Sequence, residues 1–161
     1  MVEKMPANVL LKDIVEQLEI QFDERPSFVD LDTGEVHSVS QDLLHDAENA
    51  ESEDEELDIP DWQQDEWTLA KRIAFHFDKF KRLPSKYDVH EWDIMGRFAD
   101  SVQDRRIANE LADAIHGAGA FRMFKSTIRR LKIEQQWYDF HQGALEEIAR
   151  GWCEDHAIPW K

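Results

Sequence analysis

From Trp67 to Asp155 apolar residues return every three or four positions in five successive stretches, and a chain patterned this way must bury five helical faces. Trp67, Ala70, Ile73, Ala74, Phe77 and Phe80 form the first face. Leu83-Pro84-Ser85 ends it, because proline stops a helix or leaves a short extended piece. Met95, Phe98 and Val102 carry the second, which begins near Asp88. The third opens at Asp104, whose carboxylate suits the orphan N–H groups of a helix start, and runs through Ile107, Leu111, Ala114 and Ile115 to Gly117. Phe121, Phe124, Ile128 and Leu131 line the fourth. The fifth spans about Glu134 to Asp155, with Trp137, Phe140, His141, Ala144, Leu145, Ile148 and Trp152 on its core side.

The part before Trp67 is patterned differently. Between Asn8 and Phe22, Leu10, Leu11, Ile14, Leu18 and Phe22 share one helical face, and Pro26 closes that helix. Phe28-Val29-Asp30-Leu31, Asp32-Thr33-Gly34-Glu35 and Val36-His37-Ser38-Val39 then read as strand, tight turn and strand, with Gly34 supplying the positive φ of the turn. Leu57-Asp58-Ile59 before Pro60 reads as a third, edge strand. Acidic residues crowd the stretch 41–56 and end in Glu51-Ser-Glu-Asp-Glu-Glu56; their repulsion predicts a solvated connection, mobile or weakly helical. The expectation is an α+β fold: an N-terminal helix, a β-hairpin or three-stranded antiparallel sheet, and a mainly helical C-terminal part of about five helices. At 161 residues the chain has the length of one domain, 1–161.

Charge divides along the same line. Residues 1–66 hold 21 acidic and 3 basic side chains, so the net of -16 for the whole chain leaves +2 for the remainder. An acidic surface of this size repels phosphate backbones and disfavours nucleic acid as a partner of the whole protein. Residues 1–18 intersperse charges among apolar positions too closely for a signal peptide or a membrane span. One cysteine, Cys153, forms no internal disulfide, and the expected setting is the cytoplasm.

Seven short motifs occur in a definite order: Val29-Asp-Leu-Asp-Thr-Gly-Glu-Val36, Ile59-Pro-Asp-Trp-Gln63, Leu83-Pro-Ser-Lys-Tyr-Asp88, Glu91-Trp-Asp-Ile-Met95, Gly117-Ala-Gly-Ala-Phe-Arg-Met-Phe-Lys125, Trp137-Tyr138 and Trp152. In this order the chain resembles uncharacterised protein family (UPF) 0158, a bacterial family without an assigned activity. The resemblance spans nearly the whole chain and implies no catalytic residues. Where the family pattern usually has Arg, this chain has Met123.

Arg122, Lys125, Arg129 and Lys132 each follow an apolar residue of the fourth stretch, so they form a basic stripe beside the buried one. Such a face suits an acidic protein partner, and the leading expectation is a non-enzymatic interaction module. The offset also predicts that Phe121, Phe124, Trp137 and Trp152 are buried together while Arg122, Lys125 and Arg129 stay accessible. The alternative is an enzyme or binding protein for a small phosphate- or carboxylate-bearing ligand at the Gly117–Gly119 corner. A helix start offers N–H groups there, Arg122 would anchor the anion, and His116 or Glu91 would carry protons. No cofactor or metal is expected: His90-Glu91 lacks the second histidine of a helical zinc motif, and a lone cysteine excludes the usual structural zinc sets.

Overall fold

A computed structural model describes residues 6–20 and 24–161; Phe22, assigned above to the first helical face, lies outside them. The described residues form an α+β chain, 59% helical, with a three-stranded antiparallel sheet and seven α-helices concentrated in the C-terminal part. They divide into two compact units. One comprises the residues up to Lys86 together with Ala149–Lys161, and the other is Tyr87–Ile148.

In the first unit, α1 (Leu11–Ile20) buries Ile14, Val15 and Leu18. Strand β1 (Ser27–Asp30) lies at the centre of the sheet between β2 (Val36–Ser38) and a later strand, β3 (Phe80–Arg82), with Phe28 opposite both His37 and Arg82. The third strand is therefore not Leu57-Asp58-Ile59. The carbonyls of Leu57 and Ile59 accept the side-chain amide of Gln64, at 3.4 and 3.2 Å, in place of a strand partner. The first C-terminal helix is correspondingly shorter than its apolar spacing suggests. Helix α3 (Gln64–Phe75) stops at His76, a 3-10 turn covers Phe77–Lys79, and Phe80 enters the core from a strand. Helix and strand spacing both accommodate Phe80, so tertiary pairing decides its state.

The stretch 41–56 is not a bare connection. Its first half is a helix, α2 (Gln41–Glu48), whose N-cap Ser40 accepts a hydrogen bond from the N–H of Leu43. Leu43, Leu44 and Ala47 pack into a core with Val39, Trp67, Ala70, Ile73 and Phe80. Burial of these four-carbon and smaller side chains outweighs the charge crowding, because the carboxylates stand on the opposite, wet side of the helix. Beyond α2, the Glu55 carbonyl accepts from Trp67 Nε1 and Lys71 Nζ, both at 3.1 Å, and the Glu53 carboxylate meets His76 Nε2 at 2.9 Å.

The hairpin turn is built around a buried acid. Asp30, 2% exposed, accepts the N–H groups of Asp32 (2.9 Å) and Thr33 (3.4 Å) and the Arg72 guanidinium (3.0 Å). Burial pushes its carboxyl upward, but the Asp32 N–H, Arg72 and the Thr33 N–H together outweigh that, so the pKa lies below the ordinary 3.8. A depressed carboxyl stabilises the fold above its unfolded value, and this contribution disappears as pH falls through the folded value. Asp30→Asn should therefore cost about 1–3 kcal/mol at neutral pH, the scale of a hydrogen bond to a buried charge. Urea titrations at pH 7 and pH 3 check this: the gap between wild type and variant should narrow at pH 3, and an equal gap at both would refute the assignment.

Gly34 follows in the same turn, at φ 77°, donating its N–H to the Asp30 carbonyl at 2.7 Å. Near it, residues from opposite ends of the sequence meet: Val9 and Trp160 form a parallel bridge, with Val9 N–H to the Pro159 carbonyl (3.0 Å) and Lys161 N–H to the Val9 carbonyl (2.9 Å).

The second unit holds α4 (Glu91–Ser101), α5 (Arg105–Ala114), α6 (Ala120–Arg130) and the first part of α7 (Glu134–Asp155). Asp104 caps α5 as the sequence indicates, accepting from the N–H groups of Arg106 (2.9 Å) and Ile107 (3.4 Å). Its centre is aromatic. Phe124 lies 4.8 Å from Trp137 and 6.2 Å from Phe98 between ring centroids, and Phe98 lies 5.4 Å from both Trp137 and Phe140. These edge and tilted arrangements are the favourable ones for aromatic quadrupoles.

Candidate interaction surface

Two left-handed glycines turn the chain from α5 into α6: Gly117 at φ 92° and Gly119, the N-cap, at φ 74°. A Cβ at either would meet nothing within 4 Å, so backbone conformation, not close packing, requires glycine at this corner. Past the corner, α6 buries Phe124, Thr127 and Ile128. The Thr127 hydroxyl is satisfied by donating to the Met123 carbonyl at 2.7 Å.

Phe121 departs from the sequence expectation. It is 53% exposed, because it belongs to the first turn of α6, where the helix has just left the corner and the aromatic centre begins only one turn later. Trp152 is half-buried and belongs to the first unit, while Phe124 and Trp137 are buried together as predicted. Lys132 departs as well. Helix α6 ends at Arg130, and Lys132 occupies a left-handed turn position, φ 58°, between α6 and α7. The stripe on the helix itself is Arg122, Lys125 and Arg129, with Arg122 and Arg129 exposed and Lys125 partly covered.

The partial cover of Lys125 is aromatic. Its ammonium stands 5.2 Å from the ring of Phe121 and 5.9 Å from that of Tyr138 on α7, and Tyr138 is itself 51% exposed. Met123 is exposed beside them. The result is a surface on which apolar rings hold a cation between them, flanked by two guanidinium groups. The sequence marks its charges but not its aromatic members, since Phe121 falls on the periodicity of the core and Tyr138 comes from the next helix.

The remaining chemistry-bearing residues are dispersed. Glu91 accepts His141 Nε2 with both carboxylate oxygens at 3.0 Å, and the imidazole rests against Trp137, 5.1 Å between centroids. His116 instead lines a groove of about 620 Å³ between α4 and α5, so the two proposed proton carriers are not brought to one site by these contacts. A smaller cavity of about 320 Å³ lies beside Asp104 and Gln136. Neither cavity is lined by Gly117, Gly119 or Arg122. Cys153 is fully buried, and desolvation, reinforced by Glu154, pushes its thiol up to about 11, which removes it as a nucleophile at neutral pH. No group of three or more metal-binding side chains occurs among the described residues, and none of the described helices is long and apolar enough to cross a membrane.

The fold and this surface thus define an α+β protein with a mixed basic and aromatic face formed by α6 and the first turns of α7. No protein-family model, curated protein or solved structure matches the chain.

Proposed function

We propose that the chain is a non-enzymatic interaction module whose α6 face docks an acidic protein partner, and that it works in the cytoplasm. The observation that carries this reading is the exposed placement of Phe121 and Tyr138 around Lys125, between Arg122 and Arg129. Aromatic and arginine side chains supply most of the energy at protein interfaces, and a cation already partly desolvated by rings loses less water when a carboxylate arrives. Charge complementarity then selects an acidic segment. The alternative reading, a small anion held at the Gly117–Gly119 corner, gains no enclosing cavity from the two described above. The resemblance to UPF 0158 belongs to the same proposal and adds no activity to it.

The test compares partner retention from native lysate for wild type, Arg122→Glu/Arg129→Glu and Phe121→Ala/Tyr138→Ala. All substituted residues are exposed, so both variants should fold. Each should lose retention by about tenfold or more, the effect of a single interface hot spot above 1.4 kcal/mol. Wild-type retention should also weaken as the screening length falls from about 10 Å at 0.1 M salt to 3 Å at 1 M. Equal retention in every arm would reduce α6 to a solvated helix face.

A further inference from the structure

Among the described residues the most exposed large apolar side chain is Trp62, at 78%. It stands on a 3-10 turn, Asp61–Gln63, in the first unit. The backbone that presents it is fixed: the Gln63 N–H donates to the Pro60 carbonyl at 2.9 Å, and the Gln64 amide holds the carbonyls of Leu57 and Ile59 just before the turn. An indole offered to water on a fixed turn loses little freedom on docking, and tryptophan is among the residue types that dominate interface energies. From Leu57 to Glu66 the chain has four acids and no base. Glu66 is spent on Arg25 at 2.6 Å, whereas Asp58, Asp61 and Asp65 are exposed and form no ion pair among the described residues.

The α6 surface is the complement in both respects. Arg122, Lys125 and Arg129 form no ion pair among the described residues, and Asp139, beside Tyr138, is engaged by the Gln135 amide at 2.9 Å. A partner with carboxylates alone would leave the rings of Phe121 and Tyr138 uncovered, and an apolar partner would leave the guanidinium groups unanswered. An indole flanked by aspartates satisfies both: its edge packs on the rings, its face receives a cation, and the aspartates pair with Arg122 and Arg129. We propose that the acidic partner of the α6 face is a second copy of this chain, which docks through its Trp62 turn. This rests on the α6 reading and names its partner. Copies of net charge -16 repel at long range, but at about 0.15 M salt that repulsion is screened beyond about 8 Å, and the contacting pairs lie inside that distance.

Sedimentation equilibrium of the full-length protein, from micromolar to millimolar concentration at about 0.15 M salt, tests this. The weight-average mass of the wild type should rise above that of the monomer as concentration increases. Trp62→Ala and Arg122→Glu/Arg129→Glu change only exposed residues, and each alone should weaken association by about tenfold or more, with circular dichroism unchanged. Mixed in equal amounts, the two variants should associate again, because the intact Trp62 of one meets the intact α6 face of the other. A wild type that stays monomeric throughout would overturn the proposal, while lysate retention lost in the α6 variant would still uphold the α6 reading with a different acidic partner. Association unchanged in either variant, or no recovery when the folded variants are mixed, would overturn it as well.

Discussion

Replacing Phe124 by alanine should destabilise the Tyr87–Ile148 unit by about 3–5 kcal/mol, the range for buried aromatic truncations. Phe124 is 0% exposed and its ring is held against both Trp137 and Phe98, so truncation opens a void that neighbouring helices cannot fill without moving. It also removes two edge-to-face ring contacts, each worth about 0.5–1.5 kcal/mol beyond area burial. Urea unfolding followed by tryptophan fluorescence measures the loss. Phe121→Ala is the control, since its exposed ring should cost less than about 1 kcal/mol by the usual scale of surface changes. A Phe124 variant no weaker than the Phe121 variant would sink the description of the aromatic centre.

Gly34→Ala should be comparably severe for a different reason. A Cβ on Gly34 would lie 2.1 Å from the Asn8 carbonyl oxygen and 2.9 Å from its carbon, both backbone atoms that cannot swing aside. The residue also sits at φ 77°, where an L side chain costs about 1–2 kcal/mol. Overpacking adds about 1–3 kcal/mol or more. Gly117→Ala separates the two terms, because Gly117 has a left-handed φ of 92° but open space around it. Thermal unfolding should show the Gly34 variant losing clearly more than the Gly117 variant, and equal losses would mean that the approach of Asn8 does not constrain this turn.

Much of this fold is legible in the sequence because its signals are local. The stripes of α4 to α7, the Asp104 cap and the Gly34 turn each depend on residues within a few positions of one another. The failures have several causes. Phe80 joins a strand because β1 offers it a partner some fifty positions earlier in the chain, and Leu57 and Ile59 lose their strand because the Gln64 side chain takes their carbonyls. Helix α2 hides behind its carboxylates, although Leu43, Leu44 and Ala47 already carry the spacing of a buried face. At the surface, Arg122, Lys125 and Arg129 can be read from their spacing. Phe121 cannot, because periodicity assigns a face and says nothing about where along the helix the covering neighbours stop. Lys132 is misplaced by two residues for a related reason: helix spacing does not announce the left-handed turn that ends it.

The pairing of Val9 with Trp160 has a consequence for the order of events during synthesis. The first unit needs Ala149–Lys161, so it stays incomplete until those residues have followed the Tyr87–Ile148 segment out of the ribosome, and its closure joins segments some 150 positions apart. The Tyr87–Ile148 unit is continuous and uses nearest-neighbour helices, so all its parts are available earlier. On a growing chain the inserted helical unit is therefore complete first, while Val9 waits for its backbone partners Pro159 and Lys161 to arrive.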